Sequence, residues 1–225
     1  VFFLKVMLWM LRSIMEAILL HQHGITKEQA REQAIDMLRR VGIAKPEQRV
    51  DEYSYQLSGG MRQRAMIAIA LSCNPALLVA DEPTTALDVT VQAQILLLIK
   101  RLQDEYGMAI MLITHDLGVI SEIADDVVVM YFGRVVERTD VHTIFRNPLH
   151  PYTQALLRSI PSADKKTRER LAYIEGSVPE PFIVVRGCSF ADRCSKRIDG
   201  TCTEDPEPEL REVEPGHLVR CVLYG

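Results

Sequence analysis

No stretch of this chain offers the ~20 uninterrupted apolar residues that a membrane-spanning helix needs. The nearest approach, Val1 to Leu20, is interrupted by Lys5, Arg12 and Glu16, and no small-residue cleavage site follows it. It reads as a buried helix rather than a span or a signal, and the valine at position 1 reads as the start of a fragment. Charge of one sign is lacking as well. Twenty-six basic residues against 30 acidic ones leave a net charge of −4, and the isoelectric point is 5.9. That balance argues against a broad surface for a nucleic-acid backbone, so no nucleic-acid partner is expected. Tight C-x-x-C pairs and ferredoxin-type cysteine runs are absent. So is any G-x-x-x-x-G-K-[ST] loop, and with it the lysine and backbone cradle for β- and γ-phosphates.

What is present is concentrated between Gln56 and Asp88. Ser58, Gly59 and Gly60 open a helix, where unpaired N–H groups and the positive end of the helix dipole suit a phosphate. After the helix, Ala76 to Ala80 is a short apolar run of buried-strand type that ends in two acids, Asp81 and Glu82. Adjacent carboxylates there are costly unless they hold a metal or a reacting water. On that basis Asp81 is expected to hold Mg²⁺ through water, and Glu82 to orient or deprotonate the attacking water. Turn, helix and acid pair together read as nucleotide hydrolysis.

Elsewhere the pattern is mixed α/β. Residues 14 to 42 read as helical, with Thr26 and Gln29 as a capping box and Gly42 as the stop. The helix Met61 to Cys73 is apolar nearly all round from Ala65 to Leu71 and is expected to be buried, Cys73 being an inert core thiol. His21 and His23 form a His-x-His pair that reads as surface histidines. Asp88 caps a helix with Val91, Ile95, Leu98 and Leu102 on one face, and Gly107 ends it before the strand Met108 to Thr114. Strand, helix, strand at that spacing is a parallel βαβ unit. A helix near Leu117 to Ala124, a hairpin turning at Phe132-Gly133-Arg134 and a helix from Asp140 to Arg146 follow. Prolines 148 and 151 mark a boundary, Pro151 opens a helix through Ile160, and residues 161 to 187 read as linker.

Leu57-Ser58-Gly59-Gly60-Met61 resembles the signature loop of ABC-type ATPases, with Met61 where glutamine is most common. Leu77 to Thr84 resembles their Walker B segment and Ala86-Leu87-Asp88 their D-loop, while His115 stands where the family has its switch histidine. The resemblance runs from about residue 16 to 146. It implies a partial P-loop NTPase core with a helical subdomain (about 14–75, then core 76–146), using ATP and Mg²⁺. It also implies a head-to-tail partnership with a second ATPase subunit, in which Ser58, Gly59, Gly60 and Met61 touch the partner's nucleotide and Asp88 makes a cross-dimer contact. His115 would contact the γ-phosphate or hold Glu82 in its active arrangement. Residues 1 to 13 do not resemble the family's glutamine loop, and without a phosphate loop the 225 residues are expected not to hydrolyse ATP alone.

The last 38 residues hold four of the five cysteines, Cys188, Cys194, Cys202 and Cys221, with gaps of five, seven and eighteen residues. So little apolar content calls for a staple, and spacing alone does not separate zinc from an iron–sulfur cluster. Pro148 to Leu157 and Gly187 to Cys194 resemble the C-terminal extension of oligopeptide and dipeptide importer ATPases. That closer resemblance implies a cysteine-containing extension over 147–225, a [4Fe–4S] cluster on the four thiols, two transmembrane permease subunits as partners, an indirect link to a substrate-binding protein, and a peripheral place on the cytoplasmic face of the membrane. The competing readings are a soluble non-transport ABC-type ATPase and a non-catalytic metal-binding or interaction fragment.

Overall fold

The computed structural model describes residues 10–85, 87–160, 174–177 and 185–225. They fall into two compact units, Val1–His115 and Asp116–Gly225.

In the first unit, short-range capping decides where helices begin and end. α1 (Met10–His21) and α2 (Lys27–Arg40) are separate, because Gly24 turns the chain at φ 83° between them. The stretch read from sequence as helical over 14–42, with a capping box at Thr26, is therefore two helices. Thr26 does cap α2: its hydroxyl accepts from Gln29 N, and the Gln29 side chain accepts from Thr26 N. Gly42, at φ 78°, follows the C-cap. After the one-turn α3 (Pro46–Arg49) comes α4 (Gly59–Leu71). Ala65, Ile67, Ala68 and Leu71 of α4 are buried, but Met66 is 55% exposed. The helix is thus not buried all round, as its composition had implied. Cys73 is half-buried and its thiol donates to Ala17 O, and His21 and His23 are exposed.

β1 (Leu77–Asp81), α5 (Val89–Tyr106) and β2 (Ala109–Ile113) form the parallel unit, with Leu77 opposite Ala109 and Asp81 opposite Ile113. Gly107 ends α5 at φ 63°. Ile95, Leu98, Ile99 and Leu102 of α5 pack with Leu78 and Ile110 in one core. Each such buried aliphatic side chain contributes roughly 1.5–3 kcal/mol. The opposite sheet face is open: Leu77, Val79, Met111 and Ile113 stay about half exposed. The sequence reading made this a fully buried strand. It is buried on one face only, because among the described residues this sheet has two strands and helices cover just one side.

In the second unit, α6 (Leu117–Ile123) is capped by Asp116 and leads to the hairpin β3 (Asp126–Tyr131) and β4 (Arg134–Asp140). Phe132 and Gly133 both have positive φ, the turn geometry that matches the twist of a two-residue hairpin. Asp140 caps α7 (Val141–Arg146), and His150 caps α8 (Pro151–Arg158). Two further strands, β5 (Arg211–Glu214) and β6 (His217–Val219), complete an antiparallel sheet in the order β3-β4-β6-β5. They tie the C-terminal segment, for which the sequence reading called for a staple, onto the hairpin, since β6 is paired directly onto β4. Tyr131, Tyr152 and Phe190 form an aromatic core with ring centroids 4.8 to 5.3 Å apart. Most of the expected linker, 161–173 and 178–184, lies outside the described residues.

Candidate functional site

The ends of β1 and β2 set the first site. Glu82 N donates to Ile113 O at 2.9 Å, which carries the ladder one residue beyond β1. There the chain enters the left-handed region at Glu82, φ 47°, a conformation that costs a non-glycine residue roughly 1–3 kcal/mol and clusters at functional positions. The kink sends the carboxylate toward the end of β2, where Oε1 lies 2.7 Å from His115 Nδ1. Oε2 accepts from Thr85 Oγ1 at 2.8 Å. The hydrogen bond from His115, and then that from Thr85, hold the Glu82 carboxyl below the usual carboxylate range. Glu82 is therefore an oriented, ionised base at the surface, with one oxygen on an imidazole and the other on a hydroxyl. Asp81 ends β1 and is exposed. Thr85 was missed from sequence; its offset of three residues from Glu82 was the only signal.

The signature turn is a second cluster. Ser58 is exposed, and its Oγ accepts from Met61 N at 3.3 Å while its carbonyl accepts from Arg62 N. The serine thus caps its own helix and covers one of the N–H groups that the sequence left bare. Packing around Gly59 and Gly60 is close. A Cβ on Gly60 would sit 2.9 Å from Val91 Cγ1, and one on Gly59 would sit 3.7 Å from Leu87. The turn therefore lies against the segment capped by Asp88, whose carboxylate accepts from Val91 N at 3.0 Å. Arg62 and Arg64 donate to the carbonyls of Leu57 and Val41, which makes them braces of the turn and of the α2 terminus.

The third cluster belongs to the second unit. Cys188, Cys194, Cys202 and Cys221 line one small apolar cavity of about 10 Å³ with His150 and Phe190, and all four thiols are free. Burial pushes Cys188 up to about 11, with the neighbouring thiols adding to it, and burial raises Cys194 and Cys221 as well. Burial also pushes His150 down to about 4, against the pull of Glu137 and the Arg220 carbonyl. Its Nδ1 accepts from Tyr152 N, so that nitrogen is unavailable to a metal. Among the described residues no three His, Cys, Asp or Glu side chains are grouped to hold a metal ion. The cluster and the Mg²⁺ site implied by the sequence thus have no preformed cage, although the thiol donor set does converge. Four thiols from separate stretches are a donor set suited to iron–sulfur or zinc ligation.

Nearby lies a buried pair that sequence reasoning missed. Glu137 on β4 is fully buried and accepts three N–H bonds, from Leu149 N at 2.7 Å, His150 N at 3.0 Å and His217 Nε2 at 2.8 Å.

A parallel βαβ unit with a histidine-held glutamate at its strand ends, and a serine-glycine turn packed against α5, is consistent with part of an ABC-type ATPase core. Residues 5–85 match the family model for ABC transporters. Residues 136–202 match the model for the oligopeptide/dipeptide transporter C-terminal region. The first match begins at residue 5, so the alignment includes most of a stretch that the sequence reading had left outside the resemblance. Among curated proteins the chain is 53% identical over 207 residues to the oligopeptide transport ATP-binding protein AppD of Bacillus subtilis. It is 50% identical over 209 residues to the dipeptide transport ATP-binding protein DppD of Escherichia coli. These alignments cover 92% and 93% of this chain but 62% and 63% of those proteins. Among solved structures, the ADP- and Pi-bound post-hydrolysis dimer of the ATP-binding cassette MJ0796 matches with a TM-score of 0.52 at 29% identity, covering 60% of this chain and 57% of that one. Among the described residues no helix is long and apolar enough to cross a membrane.

Proposed function

We propose that this chain serves as part of the ATP-binding subunit of a di- or oligopeptide importer, peripheral on the cytoplasmic membrane face. The observation that carries the reading is the Glu82–His115 pair, 2.7 Å apart at the ends of two parallel strands. In the reaction Glu82 accepts a proton from the attacking water, and His115 fixes the carboxylate that receives it. Asp81, one residue earlier, would help hold Mg²⁺, which would offset the charge of the phosphates. Ser58, Gly59, Gly60 and Met61 cover nucleotide bound by a second ATPase subunit, and Asp88 meets that subunit alongside them. The exposure of Ser58 supports this, because a serine buried in its own chain could not reach a partner. Closure on ATP and reopening after hydrolysis would drive two permease subunits between their inward- and outward-facing states, with a substrate-binding protein engaged indirectly. The ATPase part runs to about residue 146 and the extension from 147 to 225, where Cys188, Cys194, Cys202 and Cys221 would hold a [4Fe–4S] cluster. When bound, that cluster supplies a structural staple.

These 225 residues contain no lysine phosphate loop, so the chain by itself turns over no ATP. Steady turnover by the purified chain that Glu82→Gln abolishes would refute that statement. The transporter assignment is tested by purifying tagged chain from membranes. Membrane-spanning permeases should co-purify; ribosomes or DNA in their place would sink it.

A further inference from the structure

The irregular cysteine spacing leaves open what gathers the thiols, and the backbone supplies an answer. Gly187 is buried and left-handed, at φ 62°. A Cβ there would stand 2.5 Å from Cys202 O and 2.8 Å from Glu204 O, and these are main-chain atoms that cannot swing away. On either side of the contact the two segments are tied. Cys188 N donates to Cys202 O at 2.8 Å, and Gly187 N donates to Asp205 Oδ1 at 3.2 Å. Two stretches fourteen residues apart therefore cross almost backbone to backbone, and each carries a cysteine into the same cavity. Cys194 follows Cys188 through the 3₁₀ turn Ala191–Arg193. Cys221 enters from another direction, after β6, where Arg220 N donates to Val136 O. Only the Cys188–Cys202 half of the pocket depends on the crossing.

We propose that Gly187, with Asp205 as its clamp, is the positioning residue of the four-thiol site: it sets Cys188 against Cys202 and so makes one site out of unevenly spaced ligands. The steric argument stands without any bound group; its link to a cluster rests on the thiol-site reading given above.

The test maps alkylation rates of the five cysteines by mass spectrometry in the metal-free native chain, for wild type, Gly187→Ala, Asp205→Ala and Asp205→Asn. In Gly187→Ala, Cys188 and Cys202 should react about ten-fold faster or more, as a locally opened segment does, while Cys194, Cys221 and Cys73 keep their rates. Asp205→Ala should give a smaller change at the same two thiols, and Asp205→Asn, which retains an acceptor oxygen, should restore wild-type rates. Unchanged rates in Gly187→Ala, or equal acceleration at all four C-terminal thiols, would overturn the proposal. If Gly187→Ala loses its circular dichroism, the Asp205 pair decides by the same criterion. Anaerobic reconstitution with ferrous iron and sulfide separates the two ideas. Iron and sulfide bound by wild type but not by Gly187→Ala support both, whereas none bound by wild type removes the cluster and leaves the alkylation result to judge the crossing.

Discussion

Among the described residues, two glutamate–histidine pairs have nearly equal separations and opposite fates. Glu82 and His115 meet at 2.7 Å, with the imidazole 81% exposed. Glu137 and His217 meet at 2.8 Å, with the side chains 0% and 2% exposed. The first carboxylate sits on a strained backbone and takes one hydroxyl and one imidazole, so a water or phosphate can still approach it. The second is enclosed by three N–H donors from a loop and a strand, and it welds β6 and the α8 start to β4. Chemistry of the side chains does not separate a reactive pair from a structural one; solvent access and the number of donors do.

The comparison breaks most visibly at the buried pair. Glu137→Ala leaves Leu149 N, His150 N and the His217 ring without their acceptor, and should destabilise the second unit by about 3–5 kcal/mol. Urea unfolding followed by circular dichroism, with hydrogen exchange at the Leu149 and His150 amides, reads this; a loss below about 1 kcal/mol would make the pair ordinary. Acid sharpens the contrast next. His150 is held at about 4 when folded and returns to about 6.5 when unfolded. Its contribution is complete above 6.5 and is lost as pH falls toward 4, because the unfolded chain takes up the proton first. The loss should reach about 3 kcal/mol, and His150→Asn, which can still cap α8, should flatten it. Smaller again is Asp88→Ala, which uncaps α5 and should cost the first unit about 1 kcal/mol in the same urea assay. Least of all is Glu82→Gln, which should leave the urea midpoint essentially where it is, since the pair is exposed. A large loss there would mean that the pair holds the fold together rather than serving chemistry.

Legibility followed range. Thr26, Ser58, Asp88 and Gly107 act on neighbours within four residues, and their places could be read off the chain. Likewise the parallel pairing of β1 with β2 followed from a strand–helix–strand spacing. β5 and β6 were not legible: Arg211–Glu214 is charged and exposed, and Glu137 and His217 are eighty residues apart. The open face at Leu77 and Val79 was misread because an apolar run specifies a strand but not how many layers cover it.

By itself the sequence determined the local grammar of this protein: which residues start and stop helices, where a serine-glycine turn stands, and that two acids end a strand. Tertiary structure alone decided that the Glu82–His115 pair stays open while Glu137 is sealed against His217, and that one glycine draws two distant cysteines together. The reason is physical. Caps and turns are settled by atoms a few bonds apart, whereas burial and backbone crossings depend on which distant segments exclude water from one another.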